Sequence, residues 1–444
     1  MSFANDPVPL LRDLIRIDTT NPPGAETAVV DHLRRLLAGT DVDIKVLGPD
    51  PERLNLVARF PGRGEAPPLL LHAHSDVVPV DGQQWTHPPF EARIVDGHVW
   101  GRGTIDMKGG IAMMLSALSR LAAAGERPAG DVVLAVVADE EAGSAVGARY
   151  LVNEHPELFD GVEYAIGEEG GAGIDLPGHR FHPIVVAEKR AAWLRVTLRG
   201  PGGHGSRLTP PDSPMARLGK LLTALTGTRM PRHQTSAADR MLEVLAGALP
   251  APLSEHVARY REDQAGDPRP DGLPLREALR LDSVLRHTAN PTIVRTTEKI
   301  NVVPSEITVD LDGRILPGGY TVEDFVGELR TLVGEDFEHE LLLEGSMVRP
   351  ERIRQPEFGG FYDTMAEILA KADPDAIPLP MVSPASTDAR LFAQLGIRCY
   401  GWLPLKLPAG TDYRGLLHTV DERVPLDALE FGTSCLTELL RSYR

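Results

Sequence analysis

Val30, Leu33 and Leu37 recur at three- and four-residue spacing between polar neighbours, so Glu26 to Leu37 predicts an amphipathic helix. Leu69 to Leu71 and Val132 to Val137 differ in kind: they are short, nearly continuous apolar runs bounded by turn formers, the pattern of strands buried on both faces. Between them, Ile111, Met114, Leu115, Leu118 and Leu121 mark a second helix with one apolar stripe. Strand, helix and strand in that order predict an α/β domain with a mostly parallel sheet. The texture changes after Lys189. Ala192 to Arg199 reads as a strand, Pro201-Gly202-Gly203-His204-Gly205 as a turn and Met215 to Leu225 as a helix. Strand-like Thr292 to Ile300 and Glu306 to Ile315, helical Val322 to Leu332 and strand-like Glu340 to Leu343 then complete a compact α+β unit. Between these groups, Gly227 to Asn290 is rich in Arg, Pro and Asp around a helical Ala237 to Leu245 and reads as a surface insertion. Helices return from Phe361 to Lys371 and from Leu426 to Leu440.

Length and composition narrow the class. A chain of 444 residues exceeds the size at which one core stops growing, which predicts two domains. It has 42% hydrophobic residues, yet no apolar run long enough to span a bilayer, so a membrane protein is not expected. The formal charge of -17 and the lack of a basic run argue against nucleic acid as a partner. The N-terminal stretch lacks the layout of a secretory signal, and Cys399 and Cys435 are the only cysteines, both consistent with a cytoplasmic protein. With so few thiols, any metal would be held by histidine and carboxylate.

Such groups stand where strands end. His74 and Asp76 are two apart after the run LLLHAHSDVV, and the strand period sends both to one face. Asp106 lies between Gly101-Arg102-Gly103 and Lys108-Gly109-Gly110, at a turn into a helix. Glu140 and Glu141 follow Val132 to Val137, and Glu168 follows a third strand-like stretch in YAIGEEGG. In an open α/β sheet the carboxyl ends of the strands surround the ligand crevice, so these distant positions converge there. Taken singly each has a plainer reading: a surface pair for His74 and Asp76, a helix cap for Asp106, a solvated loop for Glu140 and Glu141, and solvent for Glu169. His72, His87 and His98 read as structural or exposed. Co-occurrence in order favours a metal site.

The segments HAHSDVVPVDGQQWTHPPFEA, DGHVWGRGTIDMKGG, VVADEEAGSAVGARYL, GPGGHGSRLTP, INVVPSEITVDLDGRILPG, SPASTDARLF and HTVDERVP extend this pattern along nearly the whole chain. In them the sequence resembles the metallopeptidase superfamily of aminoacylase, acetylornithine deacetylase, succinyl-diaminopimelate desuccinylase, glutamate carboxypeptidase and carboxypeptidase S. The resemblance implies a catalytic α/β domain, its mostly parallel central sheet covered by helices on both faces, in residues 1–189 and 351–444. A smaller α+β lid or dimerisation domain would interrupt it at 190–350. It further implies two divalent metal ions, zinc foremost with cobalt or manganese as substitutes. His74, Asp106 and Glu168 would hold one ion and Asp106, Glu141 and His418 the other, with Glu169 as the alternative to Glu168 should the alignment slip by one. Asp76 would orient His74, and Glu140 would be the general base acting on a metal-bridging water. His204 would stabilise the oxyanion in a partner subunit's site, which requires a homodimer formed through the lids. Arg390 would bind a substrate carboxylate, and Asn301 and Arg314 would approach the substrate from the lid. The implied substrates are N-acyl-amino acids or short peptides with a free carboxylate. The alternatives are deacylation of an amino-acid biosynthetic intermediate and an amidase acting on an uncharged substrate. Ala73 stands where glycine is common, and Gly227 to Asn290 is longer than in compact members.

Overall fold

Two sheets organise the computed structural model, which describes residues 4–262, 275–334, 337–342 and 358–444. The chain begins with helices α1 (Pro7–Ile15) and α2 (Thr27–Leu36) and strands β1 (Asp43–Leu47), β2 (Asn55–Phe60) and β3 (Leu69–His74). Helix α3 (Lys108–Ala123) and strands β4 (Val132–Val137), β5 (Tyr164–Gly167), β6 (Ile174–Leu176) and β7 (His179–Glu188) follow. Next come β8 (Leu194–Arg199), α4 (Pro214–Gly227), α5 (Ser236–Ala248), α6 (Leu253–Glu262) and α7 (Leu275–Ser283). Strands β9 (Thr288–Arg295) and β10 (Glu306–Ile315), helix α8 (Val322–Val333) and strand β11 (Glu338–Leu341) lead to α9 (Phe361–Ala372), β12 (Ala376–Ser383), β13 (Arg398–Gly401) and α10 (Leu426–Ser442). Leu343, the predicted end of the strand seen as β11, lies outside the described residues, as does the predicted boundary at residue 350.

The large sheet has the order β1-β2-β4-β3-β5-β13-β7-β12, with β6 beside β7. Its centre, β4-β3-β5-β13, is parallel, as is β12 with β7, whereas β1, β2 and β4 pair antiparallel. Alternation explains why β3 and β4 are apolar throughout. Leu69, Leu71, Val132, Leu134 and Val136 enter the core shared with α3 and α10, while Leu70, Val133, Ala135 and Val137 enter the core on the opposite face. In register, His74 lies opposite Val137 and Leu71 opposite Ile166, so β3, β4 and β5 deliver their carboxyl ends to one rim. No helix among the described residues is long and apolar enough to cross a membrane.

The small sheet is antiparallel, with β10 between β8 and β9, and β11 on the far side of β8. Helices α4 and α8 pack with it around Leu194, Val196, Ile307, Val309, Phe325 and Leu329. Helix α8 begins at a capping box formed by Thr321 and Asp324 and ends at Gly334 in the left-handed region.

One expectation is corrected. Gly227 to Asn290 is not a surface appendage: Ala237, Ala238, Met241, Leu242 and Leu245 on α5, with Val257 and Tyr260 on α6, are buried in the core of the large sheet. Helix α5 lies on β12 and β7. Its apolar positions recur at helical spacing and form a stripe, and these strands offer the apolar surface that covers it. The chain therefore leaves the small core after α4 and returns to it at β9.

Candidate metal centre

Strand β3 ends at His74, and the rim it reaches is strongly acidic. The His74 ring is buried, with Nδ1 3.0 Å from the carbonyl of Asp76 and 3.5 Å from its Oδ1. Donation from Nδ1 leaves the Nε2 lone pair facing outward, the tautomer a metal requires. Asp76, fully buried, also accepts from Asn21 Nδ2 at 2.8 Å and from the backbone N–H groups of Glu140 and Glu141 at 3.1 Å each. It thus ties β3 to the turn carrying both glutamates.

Asp106 stands between two histidines. Its Oδ1 is 2.9 Å from His74 Nε2 and its Oδ2 is 3.1 Å from His418 Nε2. Glu168 Oε2 approaches His74 Nε2 at 3.4 Å, and Glu141 Oε1 approaches His418 Nε2 at 3.3 Å. That Glu141 oxygen is buried without a hydrogen-bond partner. Asp106 does not cap α3: Met107 holds the cap position, with no side-chain cap bond. Glu140 and Glu141 are not solvated, their side chains being 13% and 7% exposed. Glu169 does not face solvent either. It turns to Arg414 at 3.2 Å, leaving Glu168 as the carboxylate beside His74.

Burial pushes the Glu140 carboxyl well above its ordinary range, with Glu168 adding to the effect, and lifts Glu168 to about 8. Burial works against the charge on Asp106 too, but hydrogen bonds to His418 and His74 outweigh it and hold its carboxyl far below the usual range. The hydrogen bond to Asp106 and the close negative charge of Glu141 raise His418 to about 10. For His74, burial opposes the charge and Glu168, Asp106 and Asp76 overcome it. The site favours positive charge at two points, one beside each histidine. Nitrogen and carboxylate donors without thiolate, one of them an orphaned buried oxygen, suit zinc, manganese or cobalt. Ligand-type atoms of His74, Asp106 and Glu141, and of His74, Glu140 and Glu168, lie within 4.8 Å of one another, so Glu140 is close enough to reach an ion.

Sequence reasoning missed much of the support. Glu422 is buried and accepts from Ile105 N at 2.7 Å, Gly103 N at 3.1 Å and Asp106 N at 3.3 Å, while pairing with buried Arg102 at 2.7 Å. It shapes the turn that presents Asp106. Lys108, also buried, donates from Nζ to the carbonyls of Leu14 and Ile17 and pins the start of α3. Asn21 and Glu422 are polar residues with no spacing signal; only their burial would have marked them.

Arg390 stands at the edge of this centre, its Nη1 3.9 Å from Glu140 Oε1. The other predicted site residues keep company in the small-sheet domain. His204 pairs in a two-residue strand with Val302, is exposed, and meets Ser206 Oγ at 2.8 Å through Nδ1. The Asn301 carbonyl accepts from Gly205 N at 2.8 Å, and Arg314 is paired with Asp312 at 2.7 Å. A further ligand-type group, His233, His287 and Glu328, does not fit a metal. Leu316 N donates to His287 Nδ1 at 3.0 Å, which leaves the imidazole proton on Nε2, the nitrogen that faces Glu328.

Residues 70–442 match the model of peptidase family M20/M25/M40. Aminoacylase-1 of Sus scrofa is 26% identical over 446 residues, spanning 98% of this chain and 94% of that protein. An M20 metallo-carboxypeptidase from Sulfolobus solfataricus superposes with a TM-score of 0.68 at 18% identity, covering 98% of each chain. A dinuclear metal-binding peptidase of the M20 family from Bacillus subtilis superposes at 0.55 with 14% identity, covering 98% of this chain and 96% of the other.

Proposed function

This chain belongs to peptidase family M20/M25/M40 and is a hydrolase of that type, and from that premise we propose that it is a di-metal amidohydrolase cleaving an amide bond next to a free carboxylate. The observation that carries this reading is Asp106, whose two oxygens each face a different histidine. His74, Asp106 and Glu168 would hold one ion, and Asp106, Glu141 and His418 the other, zinc being the foremost candidate. When bound, such ions supply Lewis acidity toward the scissile carbonyl and bring water into the range where a carboxylate can deprotonate it.

The chain's own residues supply the rest. Glu140 takes the proton from the attacking water and gives it to the leaving nitrogen, a task for which a buried carboxyl with a raised proton affinity is suited. Its neighbour Glu141 points to His418 instead, so the two side chains divide base and ligand between them. Asp76 holds His74 in register. Arg390, whose guanidinium has no carboxylate within hydrogen-bond distance among the described residues, receives the substrate carboxylate. A cavity of about 390 Å³ beside Asp106 and Glu168 is walled by Ile105, Ala172, Ile174, Leu403 and Tyr413, with Arg280 of α7 at its margin. It takes the acyl portion. His204 completes the partner's site in a homodimer formed through a lid that consists of the small-sheet domain, from β8 to α4 and again from β9 to β11, without the helices of 227–290 that pack on the large sheet, and Asn301 and Arg314 approach the substrate from that lid.

The test is amine release from a panel of N-acyl-amino acids, dipeptides and uncharged amides, with metal removed and restored. The reading requires metal-dependent turnover with preference for carboxylate-bearing substrates, and a loss of roughly 10²–10⁴-fold in Glu140→Gln with metals retained. Turnover that survives complete metal removal overturns it. For His204, inactive His204→Ala and Glu140→Gln dimers are mixed and allowed to exchange subunits. Recovery of activity supports donation in trans, and no recovery despite proven exchange removes that role.

A further inference from the structure

The turn that bears Glu140 and Glu141 is fastened at two ends, and only one fastening belongs to the metal centre. Asp76 holds the first end through the N–H groups of both glutamates. Asp139 (φ 67) enters the turn in the left-handed region, and at the other end Gly143 (φ 105) and Ser144 (φ 66) leave it there. Ser144 N closes the loop onto Asp139 O at 2.5 Å. The Ser144 side chain is fully buried, with Oγ 2.5 Å from Asp388 Oδ1 and 3.2 Å from Arg390 Nη2. Arg390 Nη1 donates to the carbonyl of Thr387 at 2.5 Å. Because a guanidinium only donates, Ser144 Oγ must accept from it, and its own proton is left for Asp388. Asp388 is buried, its Oδ2 has no hydrogen-bond partner, and its Oδ1 accepts from this serine while the Arg390 charge lies nearby.

We propose that Ser144 and Asp388 are positioning residues that hold the Arg390 guanidinium against the turn carrying Glu140, so that capture of a substrate carboxylate is coupled to placement of the base. This rests on Arg390 being the carboxylate receptor. Apart from Ser144, Arg390 hydrogen-bonds among the described residues only the Thr387 carbonyl, just before its own short helix, and lies 3.9 Å from Glu140. The hydroxyl of Ser144 is the hydrogen bond that ties it to the turn carrying Glu140. Asp388 orients that hydroxyl. A substrate lacking a carboxylate gains nothing from the arrangement.

The experiment compares an N-acyl-amino acid with the same compound carrying a carboxamide in place of the carboxylate. Ser144→Gly is the clean deletion, because glycine accepts the left-handed φ at no steric cost whereas alanine does not. Losing a hydrogen bond to a charged group corresponds to about 10- to 100-fold, expected mainly as a rise in KM for the carboxylate substrate and much less for the carboxamide. In an Arg390→Lys background, Ser144→Gly should add little, since the two act through one contact. Asp388→Asn keeps the side-chain volume and should show the same substrate selectivity in milder form; if Ser144→Gly fails to fold, this variant decides. Equal losses on both substrates, or a Ser144→Gly effect that adds undiminished to Arg390→Lys, overturn the proposal. If Arg390→Lys itself fails to discriminate between the substrates, the carboxylate role of Arg390 falls, and this inference with it.

Discussion

Glu422→Gln is isosteric, leaves every candidate metal ligand in place, and should nevertheless be severely destabilising. The carboxylate it replaces is buried against Arg102, the two side chains being 0% and 1% exposed. One oxygen accepts from Arg102 Nη1 and Gly103 N, the other from Ile105 N and Asp106 N. Whichever way the glutamine amide is turned, its nitrogen confronts two donors. Arg102 is left with Gln83 Oε1 at 3.1 Å and the face of Trp85, 5.1 Å from the ring centre, as partners for a buried charge. Removing one member of a buried ion pair typically costs about 3–5 kcal/mol, a large part of the roughly 5–15 kcal/mol that holds a domain folded. Urea unfolding of metal-loaded protein measures the loss. Because Glu422 also holds the Asp106 N–H, metal content should fall in the folded variant. The double variant Arg102→Met/Glu422→Gln removes the stranded charge and should recover part of the stability. A single variant within about 1 kcal/mol of the parent, or a double variant no better than the single, would refute the assignment of Arg102–Glu422 as the clasp of the Asp106 turn.

Asp106→Ala should lose both ions, because both histidines face this one carboxylate, whereas His418→Ala should mainly weaken one; metal analysis showing equal, independent losses would speak against a bridge. Burial lifts Glu188 to about 7 from an ordinary 4.5, against hydrogen bonds from Thr387. The native state therefore keeps a proton that the unfolded chain releases between those values, and stability falls by about 3 kcal/mol as pH rises through that window. Glu188→Gln should flatten this limb in unfolding measurements at pH 5 and 7; an unchanged slope would show that the group titrates normally.

Local periodicity carried the fold where burial is continuous. Val132 to Val137 is a strand over those same residues, and Phe361 to Lys371 became a helix one residue longer, because each has a face or a full circumference in the core. Thr292 to Ile300 was less well placed. Its strand runs from Thr288 to Arg295 and pairs along the edge of β10, mostly exposed, so pairing rather than burial sets its limits. The 227–290 segment misled for a related reason. Its charged and proline-rich composition outweighed the short apolar stripe from Ala237 to Leu245, and that stripe is what α5 buries in the large-sheet core.

The metal centre divides along the same line. His74, Glu140, Glu141 and Glu168 converge because the parallel strands β3, β4 and β5 send their carboxyl ends to one rim, so sequence distance between them does not matter, whereas Asp106 reaches that rim from the turn before α3. No such rule governs what holds them. Asn21 reaches Asp76 from a loop before α2, Glu422 reaches the Asp106 turn from beyond His418, and Asp388 reaches Ser144 from the final third of the chain. Each meets its partner through a contact spanning 55, 317 or 244 residues, for which no local pattern exists. Their common property is physical. A buried carboxylate or amide is costly unless it is hydrogen-bonded, and each of these residues has a buried partner: Glu422 takes the N–H groups of the Asp106 turn, and Asn21 and Asp388 meet the side chains of Asp76 and Ser144. The candidate ligands are therefore placed largely by topology and oriented by this matching. A substitution at a candidate ligand should lower metal content without unfolding the chain, whereas a change at Glu422 should disturb both together.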